Sequence, residues 1–342
     1  MSIKKKSTVG VLWGTFSTLF AQLINIILFF YLAKILDVST FGKLALALFL
    51  LELFVIFSSI GFNAYLLKIK DFTNAKANTC FSVSLLISIA FIVFTAIIIN
   101  LFFGEFFDNG EAYYVFALSP ILILNSLSIV SESKIQREFK YKLTAQAMVI
   151  CSTISGLLSL SLAIYGFEEW SIIIGRVLNA ILISVLIIKY SNFFPRFQIN
   201  IIELKSIYVF IKPLFLSRVI TFSSERINQI MIAAFLGPSF FALFALAKRP
   251  YKEIQQISLG QINKVLVNTL SRSPDNHVDV CYRLSLIVAA FIIPTFLGLS
   301  VVSDIFVIGF LGDKWQDSAM LMTLLGFEVF AVIFFWFTDS FF

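Results

Sequence analysis

Charge is scarce in this sequence. Asp, Glu, Lys and Arg make up 13% of its 342 residues, about half the share in an ordinary soluble domain, while 59% of residues are apolar. That leaves too little polar surface to cover a water-soluble globule of this size. The mean hydropathy of +0.94 requires most of the exterior to face lipid. Histidine is nearly missing, with His277 alone in a polar loop, and Cys80, Cys151 and Cys281 lie far apart without a CxxC pair. These residues support neither a histidine-based metal site nor a disulfide framework. HExxH, GxxxxGK[ST] and GxSxG are also missing, so no ATP hydrolysis, catalytic residue or cofactor is expected, and the chain is not expected to be an enzyme.

What is abundant is phenylalanine, 41 residues of it, spread through apolar runs of about 20 residues. Such runs suit helices crossing about 30 Å of hydrocarbon, whereas barrel strands alternate apolar and polar residues over about ten. The runs are Val9 to Ala33, Gly42 to Leu67, Phe81 to Phe103, Ala112 to Val130, Leu143 to Tyr165, Trp170 to Ile188, Ile207 to Leu236, a polar-centred run from Ser239 to Leu270, Leu284 to Val302 and Ala319 to Phe337. An all-α, polytopic membrane bundle of about ten transmembrane helices follows. The opening Met-Ser-Ile-Lys-Lys-Lys precedes an apolar stretch too long for a signal peptide and without a clear cleavage site, so it is read as a retained first helix.

Lys and Arg set the orientation. With the N-terminus in the cytoplasm, the inner segments collect seventeen of them and the outer segments three, Lys34, Lys43 and Lys314, beside acids such as Asp37, Glu168, Glu169 and Asp313. The net charge of +6 is then a basic inner face against anionic lipid and calls for no nucleic acid. All connections are too short to hold an extramembrane enzyme domain.

Offsetting the sequence by 200 pairs Ala33, Leu36, Ser39, Phe41, Ala45, Leu46 and Ala47 with identical residues at 233, 236, 239, 241, 245, 246 and 247. The match covers the exit of the first helix and entry of the second, and the same features of the seventh and eighth. Both copies start inside, as in the parallel repeats of secondary transporters, whose substrate path runs between the halves. The expected organisation is a six-helix lobe over residues 1–190, a cytoplasmic linker over 191–206, and a second lobe over 207–342. With four helices, that second lobe is incomplete and the chain is expected to be truncated.

Ionisable groups within spans are costly and usually face a cavity or a partner. The seventh span carries Arg218, Glu225, Arg226, Asn228 and Gln229; Arg218, Glu225 and Gln229 share one face and Arg226 lies beside it. Two readings stand: structural ion pairs between helices, or a cavity site. Two arginines against one acid favour the second, because the surplus positive charge suits pyrophosphate held by forked hydrogen bonds. Lys248 and Arg249 join that cavity if the eighth helix is continuous, with Pro250 as a kink; if it breaks, they are inner-loop charges. Glu52 and Arg176 are isolated charges that fit a mutual pair or a proton site, and are candidates for coupling or gating. Thr15, Thr18, Gln22 and Asn25 form a stripe suited equally to helix packing and sugar contact, and Gln22, Asn25, Asn228 and Gln229 are the candidate sugar contacts.

The stretch PLFLSRVITFSSERINQIMIAAFLGPSFFALFALAKRP over 213–250 resembles the centre of bacterial polysaccharide flippases of the oligosaccharide and polysaccharide exporter type. LAKILDVSTFGKLALA, SIGFNAYLLK, EFKYKLTAQA and FIIPTFLGLSVVSDIFVIGFLGDKW resemble the same family in order. The resemblance implies transfer of an undecaprenyl-pyrophosphate-linked oligosaccharide repeat unit across the bacterial cytoplasmic membrane, for O-antigen, capsule or exopolysaccharide export, by alternating access of two lobes. Membrane lipids, a proton or sodium ion and other polysaccharide-assembly proteins are the partners it implies. Glu225 and Arg226 fall where members often carry an acid-basic pair; Arg218 rests on the physical argument alone. Members usually have twelve or fourteen helices, so about ten departs from the pattern. The alternatives are an ion-coupled multidrug or small-solute antiporter, which would prefer an acidic cavity, and a membrane glycan polymerase or ligase, which should expose a long catalytic outer loop.

Overall fold

A chain threaded through hydrocarbon finds no water to bond its backbone, so its apolar runs close their hydrogen bonds within helices. The computed structural model describes residues 3–59, 61–101, 109–138, 140–270 and 277–335. Its α-helices are α1 Ile3–Ile35, α2 Val38–Ser59, α3 Phe62–Lys68, α4 Asn74–Leu101, α5 Asn109–Leu118, α6 Pro120–Arg137, α7 Tyr141–Ile164, α8 Trp170–Ser191, α9 Ile201–Leu270, α10 His277–Val301, α11 Ser303–Leu311, α12 Gln316–Leu325 and α13 Glu328–Phe335. No strand occurs among the described residues. Among the described residues seven helical stretches are long and apolar enough to cross a membrane: Val38–Lys68, Asn74–Ile97, Tyr113–Arg137, Tyr141–Ile164, Trp170–Ser191, Arg226–Gln256 and Asp313–Phe334. An eighth is the pair Val288–Val301 and Ser303–Leu311, bent by 56°. Leu19–Ile35 is a shorter apolar helix within α1. The protein is a multi-pass, all-α membrane bundle.

Breaks within the apolar runs have local causes. Between α5 and α6, Pro120 opens the second helix where its missing N–H costs nothing. In α9 the non-helical residue is Gly237, at φ 79 and ψ 177. A residue with a Cβ is strained at that φ, and Pro238 then starts the next helical arm. Pro250 leaves α9 running on to Leu270.

The chain gathers into two compact units, one of residues 1–36 and 43–238, the other of 37–42 and 239–342. In the first, helices meet through small residues. Ser159 Oγ donates to the Ser171 carbonyl at 2.9 Å, and a Cβ on Gly175 would lie 1.7 Å from that hydroxyl. On α4 and α6, Ser84 and Ser88 both bond Ser126, at 3.0 and 2.8 Å. Small residues let backbones approach, and their hydroxyls find partners where no water is present. At one end Phe62, Tyr65, Leu66, Cys80, Phe81, Val130, Phe193 and Ile207 form an apolar core. Beside it the Arg137 guanidinium donates to the carbonyls of Leu66 and Ile69, at 2.7 and 2.6 Å.

In the second unit, Tyr251 packs on Phe296 with centroids 4.7 Å apart, and Phe41 meets Trp315 edge-on at 5.3 Å. At the positions aligned by the 200-residue offset, Phe41 and Phe241 are 2% and 3% exposed, whereas Leu36 is 3% exposed and Leu236 56%.

Candidate functional site

Arg226 lies eleven residues before Gly237 on α9, at the first residue of the apolar stretch Arg226–Gln256, and meets Glu52 inside the apolar stretch Val38–Lys68. Its guanidinium is held on three sides within the first unit. One NH2 group donates to Gln229 Oε1 at 2.9 Å, one i+3 step along the same helix. The other reaches Glu52 Oε2 at 3.3 Å. Its centre stands 5.7 Å from the Phe49 ring, so α2 presents an aromatic face and a carboxylate one turn apart to the same cation. The Arg226 side chain is 16% accessible and that of Glu52 is 44%.

Three of the residues singled out from sequence therefore meet: Arg226, Glu52 and Gln229. Of the others, Arg218 is exposed on α9 and has no ion-pair partner among the described residues. Asn228 is exposed, and Gln22 and Arg176 are half-buried. Asn25 turns its amide back onto the Ala21 carbonyl at 2.8 Å. The side chains of Glu225, Thr15 and Thr18 lie outside the described residues.

Lys248 and Arg249 belong to the second unit, on an uninterrupted stretch of α9. Lys248 Nζ is 3.4 Å from Glu328 Oε1 and 5.6 Å from the centre of the Phe244 ring. Arg249 Nε is 2.9 Å from Glu253 Oε1, an i,i+4 pair whose acid is 9% accessible. Glu328 was not among the expected site residues. It is a lone acid inside the last apolar run, and the rule that such a group needs a partner in a span was signal enough to single it out.

The surroundings are mostly apolar. A small cleft in the first unit, lined by Leu51, Phe54, Ile92, Val115, Phe116 and Leu122, with Thr95 and Ser119, includes none of the candidate cations. Among the described residues no group of three His, Cys, Asp or Glu could hold a metal. Arg226 in the first unit and Lys248 and Arg249 in the second thus each stand beside a carboxylate, and groups of this kind form charge-assisted hydrogen bonds with anions.

The model of the family described as "Polysaccharide biosynthesis protein" matches residues 31–320, a stretch that holds all five candidate cations. The chain belongs to that family. Among curated relatives it is 20% identical to the succinoglycan biosynthesis transport protein ExoT of Rhizobium meliloti, over 86% of this chain and 60% of that one. It is also 20% identical to the lipopolysaccharide biosynthesis protein WzxC of Escherichia coli, over 95% of this chain and 67% of that one. The teichuronic acid biosynthesis protein TuaB of Bacillus subtilis is again 20% identical, over 95% and 68%. This member of the family thus spans about two thirds of the length of these relatives. Its fold is that of the lipid II flippase MurJ, with a TM-score of 0.75 at 16% identity over 93% of this chain and 72% of that one. A multidrug resistance MATE family transporter shares the fold at a TM-score of 0.51 and 15% identity, over 95% and 81%.

Proposed function

We propose that this protein moves an undecaprenyl-pyrophosphate-linked oligosaccharide repeat unit across the cytoplasmic membrane, with Arg226 receiving the pyrophosphate. The observation that carries this reading is a guanidinium held between α9 and the apolar stretch Val38–Lys68 in a member of a polysaccharide biosynthesis family. Arg226 has planar donors that match phosphate oxygens and an aromatic face and an amide that keep it aimed. A carrier of cationic drugs would need surplus negative charge, whereas this part of α9 carries Arg218, Arg226, Lys248 and Arg249 against Glu225 and Glu253.

Two lobes divided over 191–206 alternate access in this reading, and Lys248 and Arg249 are further cations for anionic groups of the substrate. Gln22, Asn25, Asn228 and Gln229 contact sugars. Glu225 is the acid beside Arg226. A proton or sodium gradient drives the cycle, with Glu52 and Arg176 coupling or gating it. The membrane is the bacterial inner membrane, the N-terminus is cytoplasmic, and other polysaccharide-assembly proteins receive the product.

The test is binding of labelled undecaprenyl-pyrophosphoryl oligosaccharide to purified protein. Arg226→Ala should weaken it at least about tenfold, the loss of one charge-assisted hydrogen-bonded contact, and Arg218→Ala less. Wild-type affinity in a correctly folded Arg226→Ala variant would remove Arg226 from the site.

A further inference from the structure

Arg226 already has an anion. A cation in a low-dielectric span is costly without compensation, and Glu52 supplies that compensation from α2 at 3.3 Å. The contact is longer than the 2.7–2.9 Å of a tight guanidinium–carboxylate bond. The acid is also the more open member of the pair, 44% accessible against 16% for Arg226. Gln229 and the Phe49 ring hold the guanidinium without help from the acid. Arg226 would therefore stay aimed if the carboxylate swung aside, and the donors released would face the place it had occupied.

We propose that Glu52 is an exchangeable counter-anion: it neutralises Arg226 while the carrier is empty and yields to the phosphate oxygens of the lipid-linked substrate. This rests on the assignment of Arg226 to the pyrophosphate and adds how that site is regulated. A carboxylate and a phosphate oxygen compete for the same guanidinium edge, so the acid weakens substrate binding. It also spares the empty site from carrying an uncompensated charge through the conformational change.

The two roles make opposite demands on one residue, and a merely structural acid would not show both. Purified wild type, Glu52→Gln, Arg226→Ala and the double variant are titrated with labelled undecaprenyl diphosphate in detergent micelles and used for transfer of the same lipid in vesicles. Glu52→Gln keeps the shape of the side chain and should bind about fivefold more tightly, the worth of a partly exposed ion pair, while its multiple-turnover transfer slows. In the Arg226→Ala background, Glu52→Gln should change nothing. If Glu52→Gln binds no more tightly than wild type while Arg226→Ala loses the lipid, exchange is wrong and the Arg226 site stands. If Arg226→Ala binds like wild type, the site itself is misassigned and exchange falls with it. Tighter binding by Glu52→Gln that persists without Arg226 also overturns exchange, since the acid would then act through another group.

Discussion

Tyr251 carries a hydroxyl into the middle of an apolar unit, and the structure gives it two partners: the Met322 carbonyl at 2.8 Å and Ser300 Oγ at 3.1 Å. Tyr251→Phe keeps the ring on Phe296 but strips a bond from a buried carbonyl. It should lower stability by about 1–2 kcal/mol, seen as a lower midpoint in thermal unfolding in detergent. Ser300 is also the neighbour of Gly326, where a Cβ would lie 1.6 Å from its hydroxyl. Gly326→Ala should therefore cost about 1–3 kcal/mol by forcing two backbones apart. Gly309, in α11 with nothing within 4 Å of a built Cβ, is the contrast. Gly309→Ala should be neutral or raise stability by up to about 1 kcal/mol, from the better helix propensity of alanine. Equal unfolding midpoints for the two variants would contradict this account of helix approach.

At the scale of elements, the segment 193–200 after α8 is fastened to α4 by side chains of that helix. Ser82 Oγ donates to the Gln198 carbonyl at 3.1 Å and accepts from the Gln198 N–H at 2.9 Å. Asn78 Oδ1 accepts from the Arg196 N–H at 3.1 Å, and Thr79 Oγ1 from the Asn200 N–H at 3.2 Å. Asn200 in turn caps α9, its Oδ1 accepting the Ile202 N–H at 3.0 Å. An Asn78→Ala, Ser82→Ala double variant should free this segment, and limited trypsin digestion in detergent should then cut after Arg196 several-fold faster than in wild type. Unchanged cutting would mean that packing of Phe193 holds the segment. The start of α2 is capped by Asp37, whose carboxylate accepts the Thr40 N–H at 3.0 Å. Hydrogen bonds from the Thr40 hydroxyl and then its N–H hold the Asp37 carboxyl below its usual pKa. A depressed value favours the folded state at pH above the unfolded carboxyl's pKa of about 4, and that benefit is lost as pH falls through the folded value. Asp37→Asn should flatten this part of the acid dependence of stability, followed by unfolding between pH 2 and 6.

For the whole molecule, the charge asymmetry of the loops makes a topological claim. Single cysteines at Lys70 and Asn192, introduced with the native cysteines replaced, should be shielded from a membrane-impermeant thiol reagent applied to intact cells. Cysteines at Asp37 and Gly312 should react. Labelling at Lys70 from outside would overturn the cytoplasmic placement of the N-terminus. The helical class, the position of most spans and the break at Gly237 were legible because they depend on local properties: hydropathy over about 20 residues and the backbone freedom of one glycine. The resemblance to polysaccharide exporters was legible for a related reason, since its motifs are short and keep their order along the chain.

Pairing was not local, and so it was not legible. Polar residues on α9 and the lone acid of α2 could be singled out from sequence as groups that need partners. That Glu52 meets Arg226, 174 positions away, and that Glu328 meets Lys248, depended on how the helices pack within each unit. The composition and periodicity of the chain determined that it would be a bundle of membrane helices with a few charges inside. Tertiary structure alone decided which acid faces which cation, because a helix fixes the face a residue occupies but leaves the neighbour of that face to packing.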